Sequence, residues 1–112
     1  MSTESVWTIA DLNLLALQIL QNTSEHPQFF GKDQRQMQVL CVAEEVGEFV
    51  GAYRRWSGQA RRAGTFEEMQ DEWADIIISA FVAARALGID PKMAIANKQK
   101  KILSRGWVEE KT

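Results

Sequence analysis

Two acidic motifs stand out in this sequence because of their residue types and their spacing. The first is EEVGE at residues 44–48, and the second is EWAD at residues 72–75. Carboxylates three residues apart on a helix lie about 60° apart around its axis, so each pair projects from one face. Two such helices packed antiparallel would bring four acids together: Glu45, Glu48, Glu72 and Asp75. Gathering these charges without a cation is unfavourable, so the pattern predicts a divalent-metal site.

The ligand types indicate which metal and which substrate such a site would take. Neither motif contains His or Cys, and hard carboxylate oxygens favour Mg²⁺ over zinc, with Mn²⁺ as a substitute. Mg²⁺ held by carboxylates commonly binds phosphate groups. A single pair of this kind usually only decorates an exposed helix. Two pairs on adjacent, largely apolar helices instead favour a metal site, and a Mg²⁺ site of this kind indicates phosphoryl chemistry.

Length, composition and charge narrow the class of protein. The 112 residues are expected to form one domain, residues 1–112. A hydrophobic content of 46% and a net charge of −2 are typical of a soluble globular protein and give no field that would attract nucleic acid. Cys41 is the only cysteine, and the apolar run 12–20 is too short to cross a bilayer. We expect a cytoplasmic protein without nucleic-acid or membrane partners.

Capping signals, Gly and Pro divide the chain into four helices without a strand, which predicts an all-α fold. The expected helices span about residues 8–22, 33–56 and 65–87, and a fourth begins at Asp90-Pro91. Asp33 with Gln36, and Thr65 with Glu68, have the spacing of capping boxes. Gly88 can close the third helix.

The apolar residues predict how the helices pack. Those of the second helix are spread around its circumference, which indicates burial on several sides. Gly47 and Gly51 are unfavourable inside a helix by about 1 kcal/mol relative to alanine, and so indicate close packing or close approach of a ligand. One broad stripe of the third helix is expected to face the core: Met69, Trp73, Ile76, Ile77, Ala80, Ala84 and Leu87.

The acidic motifs resemble those of the MazG-like all-α nucleoside triphosphate pyrophosphohydrolase superfamily. The hallmark of that superfamily is EExxE followed by ExxD after a couple of dozen residues, and here 23 residues separate Glu48 from Glu72. The resemblance covers the two middle helices well and the ends more loosely. It implies a four-helix, bundle-like fold assembled as a dimer or tetramer, in agreement with the excess of apolar helix surface.

The resemblance also implies an activity. Glu45, Glu48, Glu72 and Asp75 would hold Mg²⁺ while water attacks the α-phosphorus of a nucleoside triphosphate. The products would be a nucleoside monophosphate and pyrophosphate, in housekeeping of the nucleotide pool. A carboxylate that is not saturated by metal can activate the water, and Glu44 or Glu48 is expected in that role.

Substrate contacts are expected elsewhere in the chain. The resemblance implies that a segment of the fourth helix binds phosphate through Asn97, Lys98, Lys101 and Arg105. Trp56 is expected to contribute to base binding, with Trp7, Gln18 and Tyr53 as weaker candidates, although aromatic residues at helical spacing more often belong to a core. Arg61 and Arg62 lie in the connector 57–64, where they would either reach a phosphate or form a solvated basic loop.

Two other functions use similar residues. A di-iron four-helix bundle needs Glu-x-x-His pairs, and the single His26 lies outside both acidic motifs, so that class fits poorly. A non-catalytic helical module would use the same acids to bind metal or nucleotide, or to pair with the basic fourth helix of a neighbouring copy. This oligomerisation module is the alternative to the enzyme.

Overall fold

A computed structural model of the chain describes residues 8–106. These residues form four α-helices: α1 (Ile9–Glu25), α2 (Gln34–Trp56), α3 (Phe66–Leu87) and α4 (Pro91–Arg105). A short 3-10 turn, Pro27–Phe29, links α1 to α2, and the described residues contain no strand. The predicted all-α class is therefore confirmed. None of the helices within residues 8–106 combines the length and apolar character needed to span a bilayer.

Side-chain caps set the helix starts largely where the sequence predicted them. The Thr65 hydroxyl accepts a hydrogen bond from the Glu68 backbone N–H at 3.1 Å, and the Asp90 side chain does the same for Met93 at the start of α4. Asp33 caps α2 through the backbone N–H of Arg35. Gly88 ends α3 with φ of +75°, a left-handed conformation that glycine adopts at low cost.

α1 continues past its predicted end at residue 22. The hydroxyl groups of Thr23 and Ser24 donate to the carbonyls of Ile19 and Leu20, each at 2.9 Å. These polar side chains therefore bond within the helix instead of ending it. The helix stops before His26, because Pro27 disfavours helical geometry in the residue that precedes it.

α2 and α3 form an antiparallel hairpin with the largest helix contact, and α1 packs on α3. α4 has only a small contact with α1 and begins with the buried ring of Pro91. The buried apolar residues of the described chain are small: Ala16, Ala52, Val82, Ala83 and Ala84. No large side chain in this part of the chain is fully buried. α3 therefore lies between α1 and α2 without a large central core.

Much of the apolar surface expected in the core is exposed. Val50 on α2 is 49% exposed and Trp73 on α3 is 55% exposed. The predictions that α2 is buried on several sides and that the whole stripe of α3 faces the core are therefore wrong for one protomer. A Cβ at Gly47 would meet no atom within 4 Å, so close packing at that glycine is not observed either.

The exposed apolar residues of α2 form a regular line, which we call the outer seam. Its members alternate in spacing by four and three residues, the repeat of a helix that pairs with another helix. They are Val39, Ala43, Val46, Val50 and Tyr53. All five are exposed and lie on the face of α2 opposite to the acids that face α3. The seam is therefore an uncovered face suited to a further helix.

Candidate metal centre and adjoining cavity

Three carboxylates converge where α2 and α3 cross. Glu45 on α2, with Glu72 and Asp75 on α3, each offer one oxygen, and these oxygens lie within 4.8 Å of one another. Glu45 Oε2 and Glu72 Oε2 are buried without a hydrogen-bond partner. An unpartnered buried carboxylate oxygen is unfavourable, and a cation would satisfy it. Because all three converging groups are carboxylates, the site fits a hard ion such as Mg²⁺.

Glu48 lies beside this cluster, and its negative charge affects the pKa values of two of the three carboxylates. Burial raises the pKa of Glu45 and of Glu72, and the charge of Glu48 raises both further, ahead of the charge of Asp75. Glu44 is exposed, as Glu48 is, but its charge raises the pKa of Cys41, for which burial is the larger cause, and not the pKa of Glu45 or Glu72. Of the two carboxylates predicted to activate water, Glu48 is the one whose charge acts on the cluster, although it is not among the three converging ligands.

The raised pKa values predict a pH dependence of stability. Above its ordinary pKa of 4.5, an unfolded glutamate releases its proton while folded Glu45 and Glu72 still hold theirs. Their contribution to stability is complete below pH 4.5 and is lost as pH rises through the higher folded pKa. We expect acidification from about pH 7 to about pH 5 to raise the melting temperature of wild type relative to that of the Glu45→Gln/Glu72→Gln double variant, both measured without metal. Identical pH profiles for the two proteins would contradict this prediction.

A cavity of about 310 Å³ opens beside the acids, between α1, the 3-10 turn, α2 and α3. Glu45 and Asp75 form part of its wall. The remaining lining residues are Ile19, Thr23, Phe29, Met37, Gln38, Cys41, Ile78, Ser79 and Val82. A largely apolar cavity with a few polar groups is the usual form of a small-molecule site. The arrangement can hold an organic group next to a metal-bound anion.

Gln38 is the buried polar residue of this cavity and was not predicted from the sequence. Its side chain is 6% exposed, and its Nε2 donates to Gln34 Oε1 at 3.3 Å. Gln38, Cys41, Glu45 and Glu48 share one face of α2, because they are spaced three, four and three residues apart. Gln38 could have been identified from the sequence, because it continues the stripe of α2 that carries Glu45 and Glu48.

The aromatic residues expected to bind the base lie elsewhere. Trp56 packs against Phe66 and Tyr53, with ring centroids 5.7 Å and 6.2 Å apart. It follows Glu45 along α2, whereas the cavity extends towards the beginning of that helix. Gln18 is half-buried on α1 and does not line the cavity, and Trp7 lies outside the described residues. The described protomer therefore does not place Trp56 in the cavity.

The expected phosphate-binding residues of α4 are also apart from the acids. Asn97, Lys98, Lys101 and Arg105 are all exposed, on a helix whose main described contact is with α1. Arg61 and Arg62 are exposed in the connector. The cation that does act on the cluster is Arg55, whose charge lowers the pKa of Glu72 against the larger raising effects of burial and neighbouring acids. Arg55 lies two helical turns after Glu48, and this spacing could have identified it from the sequence, although it lies outside both acidic motifs.

Comparison of the chain with protein-family models, curated proteins and solved structures gives no match. The resemblance of the two acidic motifs to the MazG-like superfamily stays a prediction. The function is therefore argued from the carboxylate cluster and the cavity beside it.

Proposed function

We propose that this protein is a Mg²⁺-dependent pyrophosphohydrolase that cleaves ribo- or deoxyribonucleoside triphosphates to monophosphates and pyrophosphate. The observation that carries the proposal is the convergence of Glu45, Glu72 and Asp75, with two buried unpartnered oxygens, beside a largely apolar cavity. The acids suit a metal-bound phosphate chain, and the cavity suits the nucleoside. We place this activity in cytoplasmic housekeeping of the nucleotide pool.

The side chains have separate roles in this reaction. Glu45, Glu72 and Asp75 hold Mg²⁺. When bound, the ion neutralises negative charge on the phosphate oxygens. The Glu48 carboxylate accepts a hydrogen bond from the attacking water and takes its proton. The water oxygen forms the new bond to the α-phosphorus, and the bond from that phosphorus to the bridging oxygen breaks. Pyrophosphate leaves with the bridging oxygen.

We further propose that the chain works as a homodimer or homotetramer. The outer seam of α2 presents a continuous apolar line that a second copy can cover. Met93, Ile95 and Leu103 on α4 are exposed as well. An assembly would also explain how the basic residues of α4 serve a site, since within one protomer α4 has only a small contact with α1.

The test is a hydrolysis screen of the purified protein with Mg²⁺ against standard and modified nucleoside triphosphates, carried out in ¹⁸O-labelled water. We expect monophosphate and pyrophosphate in equal amounts, with the label in the monophosphate because water attacks the α-phosphorus. Label in pyrophosphate would contradict that site of attack. Diphosphate and phosphate as products would exclude a pyrophosphohydrolase, and Mg²⁺-dependent nucleotide binding without any cleavage would favour the oligomerisation module.

A further inference from the structure

Arg55 has an unusual environment at the end of the hairpin away from the cavity. Its side chain is half-buried on the α3-facing side of α2, and its Nε is buried without a partner. The guanidinium forms no hydrogen bond or ion pair with any residue in the described range 8–106. An arginine in this state has its hydrogen-bond donors available for a ligand.

Arg55 does not behave as a structural counter-ion, although acids are near. Its charge acts on Glu72, and Glu68 lies near the base of its side chain, since a Cβ at Gly64 would be 2.9 Å from Arg55 Cβ and 3.2 Å from Glu68 Oε2. A structural guanidinium would be expected to pair with such a carboxylate through two parallel hydrogen bonds. Arg55 pairs with neither acid. Its neighbour Arg54 differs, because it is exposed and its Nη2 donates to the Gln59 carbonyl at 3.4 Å.

Two glycines allow close approach to Arg55, Gly64 at the base of its side chain and Gly51 at the tip. The Gly64 N–H donates to the Arg55 carbonyl at 3.2 Å, and the connector can lie this close because Gly64 has no Cβ. At the other end, a Cβ at Gly51 would be 3.3 Å from Arg55 Nη1. The side chain thus leans towards the start of α2, as helical side chains do, and so towards Glu48.

Three groups of residues therefore follow one another along the α2–α3 hairpin. The cavity with Gln38 lies at one end, the carboxylates lie in the middle, and Arg55 lies at the other end. A substrate with its organic group in the cavity and a phosphate at the acids would extend its remaining phosphates towards Arg55. We propose that Arg55 binds the two phosphates that leave as pyrophosphate. This inference rests on the proposed function and adds to it the residue that holds the leaving group.

The experiment measures binding of magnesium pyrophosphate to the full chain by titration calorimetry, together with KM and kcat for a triphosphate. Arg55→Met keeps most of the side-chain stem and removes the charge, and Arg54→Met is the matched control. We expect Arg55→Met to weaken pyrophosphate binding about tenfold or more and to raise KM, while Arg54→Met changes either value less than about twofold. Arg55→Lys should fall between, because it keeps the charge and loses the paired donors.

Several results would overturn the assignment. Unchanged pyrophosphate binding in folded Arg55→Met or Arg55→Lys would exclude it, as would an equal loss in Arg54→Met, which would indicate only a general effect of charge. Absence of pyrophosphate binding by wild type would also exclude it. Wild type that binds magnesium pyrophosphate but cleaves no nucleotide would refute the proposed hydrolase alone, and the comparison of variants would still decide the role of Arg55.

Discussion

Glu48→Ala is expected to lower kcat for triphosphate hydrolysis by about 10²- to 10⁴-fold, the usual contribution of a positioned general base. The same change should leave the melting temperature of the metal-free protein unchanged or higher, because it removes a negative charge that acts on Glu45 and Glu72. Steady-state kinetics and thermal melts followed by circular dichroism measure both effects on one preparation. Glu67→Ala is the control, since Glu67 is an exposed acid in the first turn of α3.

The sign of the stability change separates the enzyme from a structural ion-pair network. In such a network the loss of one acid leaves a cation unpaired, so stability falls. The ion pair found within residues 8–106 joins Arg35 to Asp33 at 3.5 Å and does not involve the carboxylate cluster. A lower melting temperature with full turnover in Glu48→Ala would therefore contradict our assignment. Loss of turnover in Glu44→Ala but not in Glu48→Ala would move the general-base role to Glu44.

The features predicted correctly from the sequence depend on local interactions. Thr65 bonds to a backbone group three residues away, and Gly88 adopts a conformation that its own lack of a side chain permits. The approach of Glu45 to Glu72 and Asp75 required one further assumption, namely that consecutive helices joined by a short connector pack antiparallel. Helix starts and the acidic cluster are readable from the sequence because few distant contacts decide them.

The features that the sequence did not reveal depend on the register between helices. Gln38 and Arg55 lie on α2, and their surroundings depend on how α1 and α3 pack near that helix. The sequence of α2 alone does not show that packing. Thr23 and Ser24 were compatible with a loop or with a helix. Hydrophobicity indicated that Trp73 would be covered, whereas its side chain is 55% exposed in the described chain.

Val46→Glu is expected to convert the proposed assembly to a monomer, because the outer seam would then carry a charge into the proposed interface between copies. Val46 lies at the centre of the seam and is exposed in the single protomer, so the substitution should leave the protomer folded. Light scattering coupled to size-exclusion chromatography measures the mass of each species. Gln28→Glu adds the same charge at an exposed position of the 3-10 turn, away from the seam, and should leave the mass of wild type unchanged.

This variant also tests whether the site needs a neighbouring copy. The carboxylates belong to one hairpin, so monomeric Val46→Glu should still bind Mg²⁺. The basic residues of α4, such as Lys101, are exposed on a helix that has only a small contact with α1. If a second copy supplies them, the monomer should lose triphosphate hydrolysis while keeping its metal affinity. A monomeric wild type would contradict the assembly, and full turnover by monomeric Val46→Glu would show that one protomer holds the whole site.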